Sequence, residues 1–127
     1  MRKPKPHGGV SAWLQSLELG QVFLSAVTFG EIQRGVKLTR TQHPAKANEI
    51  EAWAKQLEQV SQVLSMDAPC FREYARLMHR RSNTFAEDAM IAATARVHGL
   101  TVATRNERDF LRLHVAVVNP FKAPRNM

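Results

Sequence analysis

Residues 83–110, NTFAEDAMIAATARVHGLTVATRNERDF, constrain the fold of this chain more than any other stretch. They read as one helix, a tight exit, a short apolar strand and a polar loop. Thr84 followed three residues later by Glu87 has the spacing of a capping box, which predicts a helix beginning at Phe85. Its body is rich in alanine and other apolar residues, and Gly99 after His98 suits the left-handed position that closes a helix. Residues 100–104, LTVAT, are apolar and β-branched, as a strand buried on both faces requires.

Two carboxylates in this unit are placed oddly. Asp88 sits in the first turns of a helix otherwise suited to burial. Asp109 lies just past the strand, behind Thr104, Arg105 and Asn106. In parallel α/β sheets, ligands and catalytic groups gather where strands end and helices begin, so this pairing is the functional lead.

The rest of the chain supplies the context. Residues 1–9, MRKPKPHGG, are basic and broken by proline and glycine, which predicts a loop or disordered lead-in. Residues 10–17 have helical spacing at Trp13, Leu14 and Leu17. Residues 21–28, QVFLSAVT, form the clearest strand, with Thr28 able to cap a helix running to Arg40. Thr28 with Glu31 repeats the capping-box pattern and places Glu31 in a first turn directly after a strand. Pro44 suits a helix start, followed by helical spacing at Ile50, Trp53, Ala54 and Leu57. Residues 62–67 are a strand candidate, and residues 68–81 an amphipathic helix with Phe71, Tyr74, Ala75 and Met78 inward. Residues 115–118 form a last strand, stopped by Asn119 and Pro120. Strands and helices alternating in this order predict one α/β domain over 1–127 with a mostly parallel sheet flanked by helices.

Composition narrows the functional classes. Eighteen Lys and Arg against eleven Asp and Glu give a formal net charge of +7, which favours a polyanionic partner such as nucleic acid. An acidic protein partner, or a merely solubilising surface, accounts for the same charge. Cys70 is the one cysteine, so an intrachain disulfide and a cysteine-based zinc site are excluded; on its amphipathic helix it reads as a small buried hydrophobe. No apolar run reaches the length of a membrane span, and no hydrophobic signal region follows Arg2, Lys3 and Lys5, so a cytoplasmic location is expected. The five histidines are scattered without a HExxH pair, and there is no phosphate-binding glycine loop and no GxSxG elbow.

What remains is acidic. Glu31, Asp88 and Asp109 all stand at strand-to-helix or helix-start positions, and on a parallel sheet they converge toward one edge. Three such carboxylates have the hard oxygen chemistry that holds Mg2+ or Mn2+, an ion able to activate water and clamp a phosphodiester. Each also has a plainer role: Glu31 closing a capping box, Asp88 complementing a helix dipole, Asp109 capping a turn. Thr104 and Asn106 read equally as turn formers.

Three segments, FLSAVTFGEIQRGV at 23–36, EDAMIAATARVHGLTVATRNERDF at 87–110 and VVNPF at 117–121, resemble the PIN-domain toxin nucleases of the VapC and FitB type in content, order and spacing. The resemblance covers nearly the whole chain. It implies a PIN-like parallel-sheet fold and a Mg2+- or Mn2+-dependent endoribonuclease acting as the toxin of a type II toxin–antitoxin system. RNA would be its substrate, a cognate antitoxin its partner and a homodimer its usual state. Glu31, Asp88 and Asp109 match the family's acidic positions, with Thr104 and Asn106 as supporting polar residues.

One departure stands against this. Such proteins open with a buried strand ending in an aspartate, in a segment resembling LLDTNVISE, and that strand is absent from residues 1–127 as they stand. A natural start upstream of Met1 is the expectation that follows. Two other functional classes stay open: a catalytically inactive module that binds an antitoxin or a full-length toxin, and a nucleic-acid binder without catalysis.

Overall fold

The computed structural model describes residues 22–120. The predicted loop at 1–9 and helix at 10–17 lie outside them. In chain order the elements are β1 (Phe23–Ser25), α1 (Ala26–Arg40), α2 (Pro44–Val60), β2 (Gln62–Leu64), α3 (Ala68–Met78), a 3-10 turn (Asn83–Phe85), α4 (Ala86–His98), β3 (Val102–Ala103), α5 (Glu107–Arg112) and β4 (Val117–Val118). This is the alternating α/β order the sequence predicts.

The strands are parallel but do not make one sheet among the described residues. β1 pairs with β2 in the register Phe23 to Gln62, Leu24 to Val63 and Ser25 to Leu64, while β3 pairs with β4 through Val102 to Val117 and Ala103 to Val118. Residues of β1 and β3 line a common cavity of about 840 Å³ between the two pairs, with α4 contributing Asp88, Ile91, Thr94 and Ala95. Each strand is also shorter than its apolar run. The predicted strand at 100–104 is reduced to two residues and is not buried on both faces, since Val102 is buried and Ala103 exposed.

The core gathers around α4. Ala89, Ala92 and Ala93 are fully buried and pack with Leu77 of α3, Val102 of β3, Phe110 and Leu113 around α5, and Val115. α1 and α2 form a helical hairpin whose fully buried contacts are Val36 and Ala47.

Helix ends explain where local expectations held and failed. Pro44 opens α2 as predicted, and Gly99 closes α4 at φ 67°, ψ 35°, with its N–H directed at Ala95 and Arg96 carbonyls. The two capping boxes do not form. Ser25, upstream of Thr28, accepts from the Val27 N–H and starts α1 at Ala26, so Glu31 falls in the second turn. Ser82, upstream of Thr84, accepts from the Thr84 N–H and winds a 3-10 turn first, so α4 begins at Ala86 and Glu87 caps nothing. In α3, Asp67 is the cap, accepting from the Cys70 N–H at 3.1 Å. The buried face of α3 is Cys70 and Leu77 with Tyr74 and Met78 beside them. Phe71, predicted inward, is 50% exposed and meets the Tyr74 ring edge-on.

α3 and α5 leave through left-handed residues that are not glycine, Arg80 at φ 61° and His114 at φ 57°. Such residues cost on the order of 1 kcal/mol each. Two arginines hold these exits. Arg81 donates from Nε to the Leu77 carbonyl at 2.6 Å and from Nη2 to the Arg112 carbonyl at 2.7 Å, placing one cation on the last turns of both helices. Arg96 donates to the His114 carbonyl and, at 2.6 Å, to Glu73.

Arg81→Ala is therefore expected to destabilise the fold by about 1–2 kcal/mol in urea denaturation, from two lost charged hydrogen bonds and a lost helix-end cation. Arg80→Gly is expected to stabilise it by up to about 1 kcal/mol, because the left-handed strain is removed.

Candidate functional site

The acidic residues predicted from sequence come from three helices. Glu31 lies on α1, Asp88 is the third residue of α4 and Asp109 the third residue of α5, not a loop residue. Glu31 and Asp88 line the cavity between the strand pairs, together with Ser25, Thr28 and Thr104. Asp109 does not line it, but its charge acts on Asp88.

Asp109 is fixed by a short polar relay. Thr104, just past β3, accepts at Oγ1 from the Asn106 N–H at 2.9 Å, folding the chain into α5. The Asn106 side chain then donates from Nδ2 to Asp109 Oδ2 at 2.8 Å. Thr104 and Asn106 thus orient the Asp109 carboxylate.

The electrostatics record crowding. Burial pushes the Asp88 carboxyl above its ordinary range, and the charges of Asp109 and Glu87 push it further. Glu31 is also raised, first by partial loss of water, then by Glu87 and Asp88, while Arg34 opposes the shift. Like charges held together and partly dried are what a cation would relieve, and carboxylate oxygens are the donors a hard divalent ion prefers. In chemistry and charge the residues fit such an ion. In distance they stop short: among the described residues no three acidic, histidine or cysteine side chains stand close enough together to hold a metal.

Two members of this neighbourhood were not predicted as site residues. Glu87 precedes Asp88 in sequence but was spent on the capping box. Arg34, one of the eighteen Lys and Arg of the sequence, donates from Nη1 to Glu87 Oε1 at 3.0 Å across 53 positions of chain. Local spacing carries no signal for such a pair. A second cavity, about 500 Å³, lies at the other end of α4 beside the Glu73–Arg96 ion pair, away from these carboxylates.

Two parallel strand pairs over a small-residue helix, with carboxylates from α1 and α4 lining one cavity and a third on α5 acting on it, define an α/β protein with an acidic pocket. The chain belongs to the PIN domain family, whose pattern matches residues 2–115. It is 37% identical to Toxin FitB of Neisseria gonorrhoeae over 129 residues, covering 94% of this chain and 89% of that protein. It is 29% identical to VapC ribonuclease Y4jK of Sinorhizobium fredii over 131 residues, again covering 94% and 89%. The solved structure of FitAB bound to an IR36 DNA fragment contains a similar chain, with a TM-score of 0.78, 34% identity and coverage of 98% and 91%. Among the described residues no helix is long and apolar enough to cross a membrane.

A raised carboxyl pKa fixes a pH dependence. Asp88 titrates higher folded than unfolded, so its contribution favours the folded state at acid pH and is lost as pH rises through the folded pKa. In metal-free protein, Asp88→Asn is therefore expected to raise Tm at pH 7. The gain should shrink toward zero once the medium is acidic enough to protonate Asp88 in both states. Thermal denaturation in EDTA across that range checks both the sign and the trend.

Proposed function

We propose that this chain is an endoribonuclease dependent on Mg2+ or Mn2+, the toxin of a type II toxin–antitoxin pair. Metal-dependent ribonuclease activity is the general function of the PIN family. The observation that carries the reading here is that Glu31 and Asp88, from different helices, face one cavity with Asp109 charging it from a third. Glu31, Asp88 and Asp109 are the proposed ligands of the ion, with Thr104 and Asn106 holding Asp109 in place.

When bound, a divalent cation lowers the pKa of water and polarises a phosphodiester oxygen. The protein's own part is to concentrate negative charge where the ion sits and to exclude bulk water from the half-buried Asp88. The formal excess of positive charge draws the RNA backbone toward a pocket whose carboxylates alone would repel it. A cognate antitoxin, a homodimeric state and a cytoplasmic location complete the proposal; they rest on family likeness, the related FitAB structure being named for two components.

One observation favours a second reading, a non-catalytic module that binds an antitoxin or another toxin chain: the described carboxylates do not close into a three-donor site. Cleavage of a fluorescent single-stranded RNA by the pure chain separates the two. With Mg2+ or Mn2+ the wild type should cut, and EDTA should abolish cutting. Asp88→Asn and Asp109→Asn should each lose roughly 100-fold or more. A folded chain that leaves RNA intact in either metal overturns the nuclease reading and leaves the binding module.

A further inference from the structure

Glu31 and Asp88 belong to parts of the molecule that touch sparingly. Glu31 rides on the α1–α2 hairpin, Asp88 on the α3–α4–α5 body. Cooperation between the two carboxylates depends on how closely α1 approaches the start of α4, and the ion pair between Arg34 and Glu87 spans that gap. Arg34 lies three residues after Glu31, on the same face of α1, and Glu87 is the immediate neighbour of Asp88. The 3.0 Å contact therefore ties together the two turns that carry the carboxylates.

We propose that the Arg34–Glu87 ion pair is a positioning clamp that sets the separation of Glu31 and Asp88, and so the divalent-cation affinity of the site. This rests on the metal-dependent reading above. Neither residue is proposed as a ligand. The alternative use of Arg34, as a contact for an RNA phosphate, makes different predictions, because reversing the pair preserves the clamp and removes the cation from position 34.

The pair is open to water, its side chains 74% and 47% exposed, so its effect is modest. Exposed pairs are worth up to about 1 kcal/mol, which converts to roughly a two- to fivefold change in an equilibrium constant. Its leverage comes from where it sits, not from its strength.

Two measurements test the clamp. The first is Mn2+ binding by calorimetry to the full chain, its Arg34→Ala and Glu87→Gln variants and the reversed pair Arg34→Glu/Glu87→Arg. Roughly two- to fivefold weaker binding is expected in each single variant, with recovery in the reversed pair. The second needs no metal. Spin labels at Lys37→Cys on α1 and Val97→Cys on α4, both exposed positions, report the helix separation by pulsed electron resonance, since Cys70 is fully buried. Glu87→Gln should broaden or lengthen that distance distribution, and the reversed pair should restore it.

Unchanged distances in Glu87→Gln overturn the clamp, even if Mn2+ binding weakens, because Glu87 then acts through its own charge. Unchanged distances and Mn2+ binding in all variants, with weaker RNA binding in Arg34→Ala and the reversed pair, assign Arg34 to phosphate contact instead. A wild type that binds no Mn2+ sinks the metal reading, and the label distances then decide the clamp alone.

Discussion

The structure depends on the close packing of α4 through its alanines. Ala89, Ala92 and Ala93 present almost bare backbone to their surroundings, so α3, β3 and α5 can all approach one short helix. The site follows from the same constraint. Asp88 immediately precedes the buried Ala89, and seating the alanine face draws its carboxylate half out of water. The start of α5, packed against α4 through Phe110, brings Asp109 within electrostatic reach. Side chains larger than methyl at the three alanine positions would separate the helices that carry the acids, since packed interiors accommodate extra volume at a cost of typically 1–3 kcal/mol.

Much of this was legible in sequence where a residue's local chemistry admits one outcome. Gly99 ends α4 because the left-handed turn suits a residue without Cβ, and Pro44 opens α2 because its missing N–H is no loss there. The acidic positions were singled out because all three stand near strand ends or helix starts, and the fold brings Glu31 and Asp88 to one cavity while Asp109 acts on Asp88 from α5. Capping was misread because spacing records which hydroxyls are present, not which one reaches the free N–H groups. Ser25 and Ser82 lie upstream of the threonines whose spacing looked right, and the chain winds from them. The buried face of α3 was misassigned at Phe71, since an eleven-residue amphipathic helix tolerates a small rotation and α4 selects the one that seats Cys70 and Leu77. The exits at Arg80 and His114 carry no glycine, and only distant carbonyls explain why they persist.

The basic charge also changes meaning once partners are known. From composition it reads as a surface for polyanions. In the fold, Arg81 and Arg96 are held on backbone carbonyls at helix exits, and Arg34, Arg40 and Arg76 face carboxylates. Pairing does not remove the net excess, which still shapes the long-range field that steers a charged ligand. It does reduce how many arginines can also serve as contacts, so a count of cations overstates the phosphate-binding surface.

An acidic pocket in a basic protein sets two requirements in opposition. Two like unit charges about 4 Å apart repel by roughly 4 kcal/mol at the effective dielectric of a protein surface. A phosphodiester arriving beside Glu31 and Asp88 would add to that repulsion, so the long-range attraction of the surface cannot by itself complete binding. Proton uptake is one way to reduce the charge, and the raised carboxyls of Glu31 and Asp88 already lean toward it. A divalent cation is the other, and it alone leaves the carboxylates ionised while offering the phosphate a positive partner. The two routes compete for the same oxygens, so acid should weaken cation binding as protons take the site. On the proposed metal-dependent reading, the crowding that raises these pKa values would make cation affinity sensitive to pH.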